Sequence, residues 1–125
     1  MRVLIVNTSE MTGGAAVAAN RLMDALNNSG VKAKMLVRDK TSDSITVVGL
    51  GGRMRQRLRF LWERWCIFCR LYFSRTHLFD IDIANVGNDI TQLPEFKEAD
   101  VIHLSWINQG MLSLASIRKI VKSGK

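Results

Sequence analysis

The fold is decided by residues 2–37, which read RVLIVNTSEMTGGAAVAANRLMDALNNSGVKAKMLV. Residues 2–6 are an almost continuous apolar run rich in β-branched side chains, which is typical of a strand buried on both faces of a parallel sheet. The glycine turn Gly13-Gly14 follows, and apolar residues at helical spacing then predict a helix as far as about residue 28. Residues 31–37 predict a second strand. Together these elements predict one right-handed βαβ unit.

The remainder of the chain continues the alternation of strands and helices. The predicted elements are a short strand at 45–48, a helix at about 53–73, a loop at 79–94, a strand at 99–104 and a last helix capped by Ser113. This alternation predicts an α/β domain with a Rossmann-like open parallel sheet of order 3-2-1-4 and flanking helices.

Composition excludes several classes of protein. The chain has 125 residues, 47% of them hydrophobic and 23% charged, which indicates one globular domain rather than a disordered segment. The sequence contains neither a secretory signal core nor an uninterrupted apolar span, so a cytoplasmic location is expected. Cys66 and Cys69 form a C-x-x-C pair inside a predicted helix and lack further ligands, so no metal or redox site is predicted.

The net charge of +7 is concentrated in one segment. Seven arginines between Arg53 and Arg75 are opposed only by Glu63, so this segment carries +6 of it. Such a cluster suits anionic partners such as lipid headgroups or phosphorylated ligands. Nothing in the sequence resembles a nucleic-acid-binding module, so no nucleic-acid partner is expected.

The arginine-rich helix has two apolar stripes at 100° per residue. We expect the broad stripe, which includes Trp62 and Trp65, to pack on the sheet. The narrow stripe would then face outward and rest on the inner, anionic surface of a membrane. The residues predicted for that contact are Arg53, Arg57, Phe60, Arg64, Ile67 and Leu71. The alternative is a helix sandwiched between the sheet and another part of the protein.

The glycine turn lies where ligands bind in open parallel sheets. Gly13, Gly14 and Ala15 predict a loop that admits a phosphate group to the first amides of the following helix. The full G-x-G-x-x-G pattern is absent, and no G-K-[ST] ending follows. A tight turn without a ligand is therefore the alternative interpretation.

A second polar cluster follows the last predicted strand, in residues 100–110, DVIHLSWINQG. His103, Trp106, Asn108 and Gln109 are expected at the same sheet edge as the glycine turn. Imidazole, indole and amide groups suit recognition of sugar hydroxyls, so these residues predict a sugar-binding site. The alternative for His103 is a core histidine bonded to the backbone.

Two stretches resemble a known family. Residues 1–19, with Thr8-Ser9 and GGAA at 13–16, look like the start of a family 4 glycosyltransferase of the GT-B fold. Residues 87–108, with GNDI at 87–90 and EADVIHLSWIN at 98–108, resemble the bacterial members that build surface polysaccharides.

This resemblance implies that residues 1–125 are the N-terminal, acceptor-side domain of a two-domain enzyme, and that His103, Trp106 and Asn108 line its acceptor cleft. The whole enzyme would transfer a sugar, with retention, from a nucleotide-sugar to a glycan or lipid-linked acceptor, without a metal or other cofactor. The family's second domain, with its E-x₇-E carboxylates, has no counterpart here, so the fragment is expected to be inactive alone. Relatives carry a second histidine where this chain has Ser105, which puts a role for that position in doubt.

Two other functions compete with this expectation. A dinucleotide-dependent oxidoreductase would use Asp39, after the second strand, to bind a ribose. A membrane-docking or interaction module would use the segment between Arg53 and Arg75.

Overall fold

The computed structural model describes residues 1–73 and 84–125 and shows an α/β fold. The strands are β1 (Arg2–Ser9), β2 (Lys32–Asp39), β3 (Val47–Gly49) and β4 (Val101–Leu104). The helices are α1 (Gly14–Asn28), α2 (Arg53–Arg70), α3 (Pro94–Glu98) and α4 (Leu114–Lys122). The sheet is open and parallel, with the order β3-β2-β1-β4, which confirms the predicted topology.

Strand β1 lies in the middle of the sheet. Ile5 pairs with Met35 of β2 on one side and with His103 of β4 on the other. The strand continues to Ser9, three residues beyond the predicted end. Asn7 stays in register with β2. Its buried side chain donates to the Ser9 carbonyl and accepts from the Trp106 amide. Polar composition therefore predicted a loop where the strand persists.

The two faces of the sheet carry separate apolar cores. Helix α1 covers one face, where its Ala19 and Met23 pack with residues of β1, β2 and β3, including Val3, Ile5 and Met35. The opposite face packs against the chain after residue 88. The buried residues there are Leu4, Val6, Leu36, Ile90, Phe96, Ala99, Met111, Leu112 and Ile120.

The C-terminal part follows the prediction closely. Ser113 caps α4, and its hydroxyl accepts a hydrogen bond from the Ser116 amide at 3.1 Å. Pro94, the last residue of the predicted loop at 79–94, begins the short helix α3, which was not predicted from the sequence; proline suits the first turn of a helix. Arg75 and the first part of that loop lie outside the described residues.

The predicted orientation of α2 is wrong. Ile67, assigned to the outward stripe, is 1% exposed, and Arg64 is buried beside it. Trp62 and Trp65, expected to pack on the sheet, are 59% and 56% exposed. Phe60 and Leu71 of the narrow stripe are half-buried, so only Arg57 of the described side chains predicted for the membrane contact is exposed.

The reason lies in what α2 packs against. Gln56 and Asn88 exchange two side-chain hydrogen bonds, of 2.9 and 3.1 Å, so the inward stripe of the helix bonds to a polar loop. The same stripe approaches Gly110, where an added Cβ would lie 3.8 Å from the backbone nitrogen of Phe60. The sheet face that the broad stripe was expected to cover is already filled by residues 88–120.

Candidate functional site

The carboxyl-terminal ends of β1 and β4 are joined by hydrogen bonds. The Thr8 amide and hydroxyl each donate to the Trp106 carbonyl at 2.7 Å, and the Asn108 carbonyl lies 3.2 Å from the same hydroxyl. The Trp106 amide donates to the side-chain oxygen of Asn7 at 3.0 Å. The buried polar residues that end β1 therefore hold the loop after β4 in place.

The glycine turn opens directly from this edge. Gly13 has a φ of 88°, which an L-residue rarely adopts, and it occupies the N-cap of α1 without a capping side chain. Gly14 has ordinary backbone angles. A methyl group added at either glycine would meet no atom within 4 Å. The turn thus needs a glycine at 13, while the glycine at 14 leaves open space before the first amides of α1, next to half-buried Ala15.

His103 lies inside β4 rather than at its end. It pairs with Ile5, so its side chain lies on the sheet face that α1 covers, at the edge strand. The side chain is exposed, and no described residue forms a hydrogen bond with it. The alternative of a buried core histidine is therefore wrong.

Trp106 and Asn108 present different groups at the edge. The Trp106 ring is exposed, while its backbone is fixed by Asn7 and Thr8. Asn108 is half-buried, and its side-chain oxygen accepts no hydrogen bond from the described residues. No hydrogen bond between described residues links His103 or the glycine turn to this pair.

A buried carboxylate ties two loops together at the same edge. Glu10 is 2% exposed, and one of its oxygens accepts from the amides of Thr41 and Ser42 at 2.6 and 2.9 Å. The two hydroxyls of these residues also donate to the carboxylate. Burial raises the pKa of Glu10, but these hydrogen bonds outweigh it, the Ser42 hydroxyl most, and lower the pKa from 4.5 to about 2. Glu10 is therefore a fixed anion that positions loop 40–46, and its pKa is too low for a general base near neutral pH.

A pocket of about 480 Å³ lies beside this loop, between the end of β2 and the first half of α2. Its lining residues are Arg38, Asp39, Lys40, Thr41, Gln56, Arg57, Phe60 and Gln109. Gln109 of the polar cluster after β4 lines this pocket, whereas Gly13, Gly14, Ala15, His103, Trp106 and Asn108 do not. Sequence reasoning missed Arg38, Lys40 and Thr41, although the basic pair that brackets Asp39 directly after a buried strand was a signal.

The described residues form neither a disulfide nor a metal-binding cluster. Cys66 is half-buried and Cys69 exposed, and both are free thiols within α2. Across residues 1–73 and 84–125, no three metal-ligating side chains come together. In the same two ranges, no helix combines the length and the apolar character that crossing a bilayer requires.

Comparison with known proteins gives no relative to guide the interpretation. No protein-family model, curated protein or solved structure matches this chain.

Proposed function

We propose that this chain is the acceptor-side domain of a retaining glycosyltransferase of the GT-B type, acting in polysaccharide biosynthesis. The observation that carries the proposal is the meeting of the two family-like stretches, residues 1–19 and 87–108. The hydrogen bonds from Thr8 to the Trp106–Asn108 loop join them at the carboxyl edge of a parallel sheet. Ligands of open parallel sheets bind at that edge.

Groups at this edge could bind the acceptor and stabilise the leaving group of such a reaction. The acceptor hydroxyl forms a bond to the anomeric carbon of the nucleotide-sugar while the bond from that carbon to the diphosphate breaks. The nucleoside diphosphate leaves and takes up the hydroxyl proton. The first amides of α1, which begins at Gly14, would stabilise the negative charge of the leaving diphosphate. The exposed Trp106 ring would stack on the acceptor, with Asn108 bonding its hydroxyls.

A second domain is required to hold the nucleotide-sugar, and the proposal places it outside these 125 residues. The test therefore uses the complete protein that carries this domain, a panel of labelled nucleotide-sugars, and lipid-linked and glycan acceptors. We expect sugar transfer, and we expect Gly14→Ala to lower it by about tenfold or more because the methyl group enters the open space.

Gly51→Ala is the matched control, because it also adds a methyl group where no atom lies within 4 Å, but in the loop before α2. Both variants are expected to fold like the parent. Absence of transfer from every nucleotide-sugar by the folded protein, or equal activity of Gly14→Ala and Gly51→Ala, would refute the proposal.

The exposed face of α2 supports a second candidate, docking on an anionic membrane surface. The stripe that faces solvent includes Leu58, Leu61, Trp62 and Trp65, and the exposed arginines 55 and 57 lie at its borders. Indole rings at the interface and guanidinium groups on phosphates are the combination that such surfaces bind.

Flotation of the chain with vesicles containing phosphatidylglycerol tests this candidate. Changing Trp62 and Trp65 together to serine should abolish flotation, whereas Trp106→Ser, which removes an exposed tryptophan elsewhere, should leave it intact. The membrane-docking proposal is contradicted if the double variant still floats with the vesicles, or if the parent chain does not float.

A further inference from the structure

The pocket between β2 and α2 is large enough for a small phosphorylated molecule. Its volume of about 480 Å³ lies within the range of small-molecule sites, roughly 300–1,000 Å³. Loop residues that follow β2 form one wall, and α2 forms the wall that faces them. Gln109, from the loop after β4, lies at a third side.

Positive charge dominates the lining. Arg38, Lys40 and Arg57 contribute three cations, and Asp39 is the one acidic residue among the described residues that line the pocket. One oxygen of that carboxylate already accepts from Arg38, from Nε at 3.1 Å and from Nη2 at 2.7 Å. The pocket therefore retains an excess of two positive charges.

Arg38 is held in place before any ligand arrives. Its side chain is 14% exposed, and its Nη1 donates to the Gln109 carbonyl at 2.6 Å, in addition to the two bonds to Asp39. A guanidinium has five N–H groups, so two remain for a ligand. Gln109 adopts a φ of 57°, which is uncommon for a residue with a side chain. A cation that is already oriented loses little freedom on binding.

The α2 wall adds a second cation and an apolar surface. Arg57 is exposed, and no described residue accepts a hydrogen bond from its guanidinium. The half-buried Phe60 ring adds apolar area beside it. Gln56 is committed to Asn88 and contributes no free amide. Two guanidinium groups on facing walls suit an anion with several oxygens, and the ring suits the organic part attached to it.

We propose that this pocket binds the phosphate group of a phosphomonoester or diphosphate ligand, with Arg38 and Arg57 as the two guanidinium contacts. The inference goes beyond the glycosyltransferase proposal, because it uses neither the glycine turn nor the residues predicted for the acceptor cleft. Lys40, whose ammonium donates to the Ser44 carbonyl at 3.0 Å, adds charge at the rim.

The test is a titration of the 125-residue chain with inorganic pyrophosphate in about 0.15 M salt, followed by amide chemical shifts in NMR spectra. Saturable shifts are expected at the Arg38–Thr41 segment and at Gln109. Arg57→Gln should weaken binding by about tenfold, which corresponds to one lost charge-assisted hydrogen bond.

Arg70→Gln is the matched control, since Arg70 is exposed on the same helix but does not line the pocket. It should change the affinity by less than about twofold. Arg57 is the preferred site of mutation because the fold does not depend on a described hydrogen bond from it. The proposal is overturned if pyrophosphate does not bind saturably, or if the two variants weaken binding equally, as a nonspecific effect of charge would.

A second arm identifies the source of the phosphate group. Vesicles of phosphatidylcholine with phosphatidic acid offer the group on a lipid, and glucose 1-phosphate offers it in solution. Competition between pyrophosphate and vesicle binding, lost in Arg57→Gln, supports a lipid headgroup. Binding of glucose 1-phosphate that depends on Arg57, with vesicle binding unaffected by the mutation, supports a soluble ligand. Neither arm requires sugar transfer. A negative result for phosphate binding can therefore be told apart from a negative result for the glycosyltransferase proposal.

Discussion

Replacing Glu10 by glutamine should destabilise the fold in a way that depends on pH. The carboxylate accepts four hydrogen bonds from Thr41 and Ser42, and its pKa of about 2 lies well below the ordinary value of 4.5. Glutamine keeps one acceptor oxygen and places an NH₂ group among donors. The backbone amides of loop 40–46 would then compete for a single acceptor, while the negative charge is lost.

The magnitude follows from the pKa. A carboxyl group that titrates near 2 in the folded chain and near 4.5 in the unfolded chain contributes at most roughly 3 kcal/mol. The loop lies near solvent, which screens the charge, so we expect about 1–2 kcal/mol for Glu10→Gln near pH 7. Because the folded pKa is the lower one, this contribution is present above about pH 4.5 and is lost as the pH falls toward 2.

Urea denaturation followed by circular dichroism measures the effect. The difference in unfolding free energy between the parent and Glu10→Gln should fall by more than half between about pH 6 and pH 3. Asp89, whose pKa the Lys119 hydrogen bond helps to hold at about 2, titrates in both proteins and cancels in the comparison. Asp24→Asn, at an exposed position of α1, controls for loss of one negative charge.

The reasoning is refuted by two results. One is a Glu10→Gln chain as stable as the parent at pH 7. The other is a destabilisation that stays the same at pH 3, which would show that shape rather than charge matters at this site.

Three further predictions concern the elements around the site. Gly13→Ala should lower the free energy of unfolding by about 1 kcal/mol because Gly13 has a φ of 88°. Gly14→Ala should be neutral or slightly stabilising, and equal thermal unfolding midpoints for the two variants would contradict this difference. Ile67→Ala should cost roughly 3 kcal/mol and Trp65→Gln less than about 1, and the reverse order in urea denaturation would restore the originally predicted orientation of α2. Ser113→Ala should cost about 1 kcal/mol through loss of the α4 cap, and an unchanged midpoint would mean that the cap contributes nothing.

The sequence alone was sufficient for the strand order and for most helix ends. The buried run at 2–6, the amphipathic pattern of α1 and the Ser113 cap are local signals, and each depends on residues within a few positions of one another. Parallel strands joined by right-handed crossovers leave few arrangements, so local elements were enough to predict the order 3-2-1-4. The carboxyl ends of β1 and β4, which precede the glycine turn and the Trp106 loop, lie at one edge by the same rule.

Only the tertiary structure decided which face of α2 is buried and where the pocket lies. Both apolar stripes of α2 are compatible with burial, and the choice depends on Asn88, which is 32 positions from Gln56 in the chain. The pocket likewise requires Arg38 and Gln109, which are 71 positions apart, to meet through one hydrogen bond. Periodicity reports which residues share a face of an element, but the partner of that face is chosen by packing and hydrogen bonding between segments distant in sequence.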